Sequence, residues 1–139
     1  MMSYDPSNIF GKILRGEMPC HKVYEDETAL VMLDIFPQSR GHALIIPKAP
    51  SRNLLDADPA ALSAVMPVVQ RVARAVTAAT SADGIRLIQF NEAAAGQTVF
   101  HLHFHVIPVF EDVALGAHAS GRADDVELAT LAGEIAALL

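Results

Sequence analysis

The chain is short of several things. It has one cysteine, Cys20, no tryptophan, and only 6% aromatic residues. A lone cysteine excludes an intramolecular disulfide and makes a thiolate-based structural zinc site an unlikely design. Basic residues are also scarce, with ten Lys and Arg against sixteen Asp and Glu and a formal net charge of −6. Without a Lys/Arg run the chain is a poor partner for polymeric nucleic acid, whose binding depends on neutralising many phosphates. One small phosphorylated ligand stays compatible, because a single local site can hold it. No apolar run approaches the ~20 residues that span a bilayer. The opening MMSYDPSN lacks the basic-then-apolar pattern of a secretion signal. The expectation is a cytoplasmic protein with no membrane contact.

What is abundant is small and aliphatic. Hydrophobic residues make up 52% of 139 residues, enough for one domain with a substantial core. Asp5-Pro6-Ser7 reads as a helix start, Ile9, Phe10, Ile13 and Leu14 recur at helical spacing, and Gly16 ends the segment. Residues 22–25 and 29–35 read as strands around Asp26-Glu27-Thr28, and His42 to Pro47 as a third, central strand. Asp58-Pro59 opens a long helix to about Thr80, with Leu62, Val65, Met66, Val69, Val72, Ala73 and Val76 as its apolar stripe. Pro67 within it predicts a kink or a later start. Residues 85–91 and 99–109 read as strands, 92–96 and 116–125 as loops. Residues 126–139 read as a helix carrying Leu128, Leu131, Ile135 and Leu138 on one side. Strands in an early and a late cluster, with one long helix between, predict an α+β fold with an antiparallel sheet.

The distinctive stretch is FHLHFHVIP, residues 100–108. Three of the six histidines, His101, His103 and His105, occupy alternate positions. Alternation on a strand sends them to one face, ~7 Å apart, and sends Phe100, Leu102, Phe104 and Val106 into the core. Three readings are open. The histidines could be the polar residues of an ordinary half-solvated strand. Two of them could bind a metal, with Glu92 or Glu111 as the nearest carboxylates. Or one imidazole could attack phosphorus, kept neutral by its neighbours and by burial, while another supplies a proton. Gly96-Gln97-Thr98 directly upstream favours the last, since a glycine turn and polar side chains suit phosphate oxygens. A purification tag is excluded, because the run is interior and interleaved with core residues.

His101-Leu102-His103-Phe104-His105-Val106-Ile107 resembles the motif of the histidine triad (HIT) superfamily. So do, in order and spacing, residues 9–13, Asp34-Ile35-Phe36-Pro37-Gln38, residues 41–48, and Asn91 followed by Gly96-Gln97-Thr98-Val99. The likeness covers roughly residues 8 to 110 and is greatest to the Hint branch, the purine nucleoside phosphoramidases. It implies a HIT fold of about five antiparallel strands with an N-terminal and a long central helix, in a homodimer that joins two sheets. It implies cleavage at the α-phosphorus of a purine nucleoside phosphoramidate or related conjugate, through a nucleotidyl-histidine. A dinucleoside polyphosphate hydrolase and a nucleotide-binding sensor are the alternatives.

By the same resemblance, His103 is the nucleophile, His101 lies beside phosphate and leaving group, and His105 and His42 form the supporting imidazole network. Asn91, Gly96, Gln97 and Thr98 hold phosphate. Asp34 holds the ribose, and Ile35, Phe10 and Ile13 line the base pocket. No cofactor and no metal are implied: where some relatives carry two zinc-binding cysteines, this chain has Asn8-Ile9-Phe10-Gly11. Asp34, His42 and Asn91 could also serve as turn or strand-entry residues, and Phe10 and Ile13 as core alone. The segment after Phe110 departs from the branch's short tails. His21 and His118 match nothing and are expected at the surface.

Overall fold

The computed structural model describes residues 3–116 and 121–139, so His118 lies outside the described residues. A short helix α1 (Ile9–Leu14) precedes the hairpin β1 (Lys22–Glu25) and β2 (Ala29–Leu33), then β3 (Ala43–Pro47). Helix α2 (Pro59–Thr80), β4 (Gly84–Ile88), β5 (Phe104–Val109) and α3 (Asp125–Ala136) complete the chain. The five strands form one antiparallel sheet in the order β1-β2-β3-β5-β4. The α+β class and the strand count match the sequence reading.

Local chemistry sets the element ends. Asn8 caps α1 by accepting the Gly11 N–H at 2.8 Å, so the helix begins later than Asp5-Pro6 suggests. Asp26 makes the β1–β2 turn, its carboxylate accepting from the N–H groups of Thr28 and Ala29. Asp58 caps α2 ahead of Pro59. The helix runs unbroken through Pro67, because that proline and Ser63, whose carbonyl loses its partner, are both exposed and water can serve it. Gly41, at φ 95°, turns the chain into β3. A Cβ there would stand 2.7 Å from Thr80 Cγ2, so the turn can lie against the end of α2 only with glycine.

The sheet divides the interior in two. On one face Val31, Leu33, Ala43, Ile45, Phe104 and Val106 pack with the α2 residues Val65, Val68, Val69, Val72 and Val76. Each fully buried valine contributes about 1.5–3 kcal/mol by leaving water. Met66, read as part of this stripe, is exposed. The α3 residues Leu128, Leu131 and Ile135 join the same cluster. The tail helix is therefore covered by its own chain and needs no dimer partner. On the opposite face Phe10 and Ile13 of α1 pack on Leu30, Met32, Leu44 and Ile46. The candidate site opens on this second face.

One strand is shorter than its pattern. Residues 99–103 alternate like a strand but leave the sheet: Leu102 N–H goes to the Ser51 carbonyl at 3.0 Å, and β5 begins only at Phe104. His101 and His103 thus sit on an incoming loop and His105 alone lies on the strand. Nor is the histidine side solvated. His101, His103 and His105 are 1%, 7% and 5% exposed.

Candidate active site

Carbonyls and amides at the ends of the hydrogen-bond chains fix the tautomers. His103 Nδ1 lies 2.7 Å from the His101 carbonyl, which only accepts, so Nδ1 carries the proton and Nε2 the lone pair. The Gln38 N–H donates to His42 Nδ1 at 3.0 Å. Neutral His42 therefore holds its proton on Nε2 and donates it to His105 Nδ1 at 2.9 Å. His105 in turn is protonated on Nε2. The His103 and His105 rings lie with centroids 4.9 Å apart, and Phe10 meets His103 edge-on at 4.8 Å. This order, amide to His42 to His105 beside a His103 whose Nε2 carries the lone pair, suits attack on an electrophile.

His103 and His105 line a cavity of about 300 Å³ with Phe10, Ile13, Asp34, Ile35 and Thr98. Phe10 and Ile13 are thus both core and cavity wall. No Lys or Arg side chain among the described residues lines it. Asp34 accepts the Phe36 N–H through Oδ1 at 2.8 Å, and its Oδ2 lies 3.5 Å from His42 Nε2. It makes the turn and stands in the histidine network at once. Asp34, His42 and His105 also offer ligand atoms within 4.8 Å of one another, the one grouping among the described residues able to hold a metal. A metal there would have to displace the 2.9 Å hydrogen bond between the two rings. The stretch 8–11 supplies no thiolate and uses Asn8 as a helix cap, so it does not fit a zinc site. A larger cavity, about 640 Å³, lies between residues 37–42 and α3 and contains neither His103 nor His105.

Four of the expected contact residues do not line this cavity. The Gln97 side chain is 3% exposed and fully engaged: its oxygen accepts from Asn53 Nδ2 and Glu92 N–H, and its nitrogen donates to the carbonyls of Arg52 and Val99. Nothing is left for phosphate. Asn91 pairs with Gln89 and accepts the Leu54 N–H, away from the cavity lining. Gly96, at φ 106°, lets the loop lie against the Phe90 ring, and of Gly96, Gln97 and Thr98 the last alone lines the cavity, followed by Val99. The His101 ring is not in the cavity wall either. Its Nε2–H donates to the Pro47 carbonyl at 2.7 Å and its Nδ1 accepts from the Tyr4 hydroxyl at 2.7 Å. His21, expected at the surface, is partly buried and reaches Asp125 at 2.9 Å.

Composition and spacing gave no sign of the clasp behind the loop. Arg52 makes a two-pronged pair with Glu92 at 2.8 and 3.0 Å and stacks on Phe100, 4.1 Å from the ring centre. The hydrogen bonds from Arg52, and then that from Asn53, lower the Glu92 carboxyl from its ordinary value against the effect of burial. Glu92 sits at φ 77°, a strained conformation for a residue with a Cβ, held by this pairing.

Burial holds the His101 imidazole below its ordinary value, outweighing the Pro47 carbonyl, which favours the charged form. The unfolded chain therefore binds the proton more readily. Stability is full above pH 6.5 and falls as pH drops from there toward the folded value. Thermal melts between pH 7 and 5 should show this decline, and His101→Gln, which keeps a donor and an acceptor but does not titrate, should decline less.

A HIT domain family model matches residues 15–112. "Adenylylsulfatase HINT3" of Arabidopsis thaliana is 42% identical over 120 residues, 86% of this chain; the chain spans only 61% of that relative's length. "Adenosine 5'-monophosphoramidase hnt1" of Schizosaccharomyces pombe is 37% identical over 102 residues, 73% of this chain and 74% of that protein. A crystal structure of a Hit-like protein of Bartonella henselae, described as involved in cell-cycle regulation, is 48% identical with a TM-score of 0.92. The match covers 99% of this chain and 100% of that one, tail helix included.

Proposed function

Given that the chain belongs to the HIT domain family, we propose that it is a nucleotide hydrolase or transferase cleaving purine nucleoside phosphoramidates at the α-phosphorus. The observation that carries this is the His103 tautomer: a proton tied down on Nδ1 leaves the Nε2 lone pair to attack. Attack forms a P–N bond to His103 and breaks the bond to the amine. His105, protonated on Nε2, donates to a phosphate oxygen as charge builds there, and the hydrogen bond from His42 keeps that tautomer. The departing amine takes up a proton from solvent, which the water of the second displacement returns. Water then attacks phosphorus, releasing the nucleoside monophosphate and restoring His103. Thr98 meets phosphate, Asp34 the ribose, and Phe10, Ile13 and Ile35 the base. The names of the Arabidopsis and Schizosaccharomyces relatives, an adenylylsulfatase and a monophosphoramidase, support an adenylyl group as the part transferred.

The cavity lining favours an amine over a polyphosphate leaving group. No cation lines it among the described residues, Arg52 being paired with Glu92 and Lys48 with Glu25. A chain of several phosphates would enter uncompensated. The proposal extends to a cytoplasmic homodimer, for which the edge strand β4 with its exposed Ile85 and Leu87 offers a joining surface.

The test is AMP release from adenosine 5′-phosphoramidate in excess chelator, beside a dinucleoside polyphosphate. Turnover should persist in chelator, with kcat/KM at least about tenfold higher for the phosphoramidate. Loss of activity to the chelator would overturn the metal-free route. A polyphosphate preference would overturn the assigned leaving group, and nucleotide binding without turnover would leave a binding protein.

A further inference from the structure

The first described residues are held in a hook. Asp5 accepts from the Ser7 N–H and hydroxyl at 2.8 and 2.7 Å, Asn8 Nδ2 reaches the Asp5 carbonyl at 2.8 Å, and Arg15 holds the Pro6 carbonyl at 2.9 Å. The hook carries Tyr4 to a residue 97 positions away: its hydroxyl stands 2.7 Å from His101 Nδ1, and the two rings meet edge-on at 5.5 Å. The direction of this bond is forced. The Pro47 carbonyl can only accept from His101 Nε2, so Nδ1 has the lone pair and the hydroxyl proton points to it. Asn8 orients that hydroxyl, its Nδ2–H donating to the Tyr4 oxygen at 3.1 Å.

His101 matters through its backbone. Its carbonyl is the acceptor that holds the proton on His103 Nδ1. Residues 101–103 lie outside β5, and the peptide that carries this carbonyl is pinned on its amide side by the Leu102 N–H, which donates to the Ser51 carbonyl at 3.0 Å. The side chain pins the residue from the other end: the His101 ring, 1% exposed, is gripped between Tyr4 and Pro47. We infer that Tyr4, oriented by Asn8, is a positioning residue that clamps the His101 ring and so keeps the His101 carbonyl where it selects the nucleophilic tautomer of His103. The kinetic part of its test rests on the proposed phosphoramidate chemistry; the spectroscopic part does not.

The test uses Tyr4→Phe and Asn8→Asp. The first keeps the ring and loses the hydroxyl. The second keeps an oxygen to cap α1 but offers the tyrosine hydroxyl an acceptor, which turns its proton away from His101. Histidine ring nitrogen-15 spectra should show His103 as a single form protonated on Nδ1 in the parent protein, and a mixture of both tautomers in each variant. With adenosine 5′-phosphoramidate, kcat should fall about tenfold while KM stays within about twofold, the mark of misplacement rather than lost binding. A His103 spectrum unchanged in both variants would overturn the inference, whether or not this substrate is turned over. Equal falls in kcat and melting temperature with unchanged tautomers would assign Tyr4 to fold stability alone, and likewise overturn it.

Discussion

Replacing His103 by alanine should cut AMP release from adenosine 5′-phosphoramidate by about a thousandfold or more, with the melting temperature close to that of the parent. The effect is large because the substitution removes the nucleophile on which the proposed covalent route depends. The residual rate would come from a cavity that still binds and orients the nucleotide but must await direct attack by water. The ring is 7% exposed and packs edge-on to Phe10, so alanine leaves a small cavity, yet it removes no partner of a buried charge. Two companion measurements separate nucleophile from mere proton carrier. Acid quench of the parent during turnover should trap protein heavier by one nucleotidyl group, and His103→Ala should trap none. A substrate chiral at phosphorus should react with overall retention, since two displacements each invert. Net inversion would rule out the covalent route.

The second large effect belongs to a residue that the HIT resemblance assigned to phosphate. Gln97→Leu should leave the substrate contacts in place but destabilise the protein by about 3 kcal/mol, measured by urea or thermal unfolding. Leucine nearly matches the volume of the glutamine. What it removes is four hydrogen bonds in a closed space, taking one of two partners from the Asn53 amide and stranding the Glu92 N–H and the carbonyls of Arg52 and Val99. Each buried group so stranded costs on the order of 1 kcal/mol or more, with some relaxation to be expected. Were Gln97 a phosphate ligand instead, the loss would appear in KM or kcat with stability untouched.

The two substitutions bracket what a sequence can show. The alternation of His101, His103 and His105 was legible because a period of two is local, and so was the burial of their apolar neighbours. The strand's true start was not. Residues 99–103 carry strand-like side chains, but their backbone bonds to Ser51, fifty residues upstream, and no local rule encodes that partner. The junction of His42 with His105 depends on the pairing of β3 with β5, so the histidine chain could be foreseen only through the resemblance. Gln97 misled because a glycine-flanked amide has the same appearance whether it meets phosphate or seals a loop. Glu92 drew notice only as a carboxylate near the histidines, and nothing local tied it to Arg52, 40 residues away. Tyr4 gave no signal at all, lying in a segment without periodicity. The tail helix was found from its apolar spacing, and its cover is the chain's own core.

The strand order has a bearing on how the molecule comes into being. β5 is the last strand in the chain yet lies between β3 and β4, and β4 pairs with β5 alone. Until residues 104–109 arrive, β3 has an empty edge and β4 has no neighbour. Their insertion is the most non-local event in the sheet, the kind that is slow because loop entropy must be lost before contacts form. It is also the step that brings His105 to His42. The His42–His105 contact and the pairing of β3 with β5 arise together, so a chain in which β5 has not found β3 lacks the histidine network.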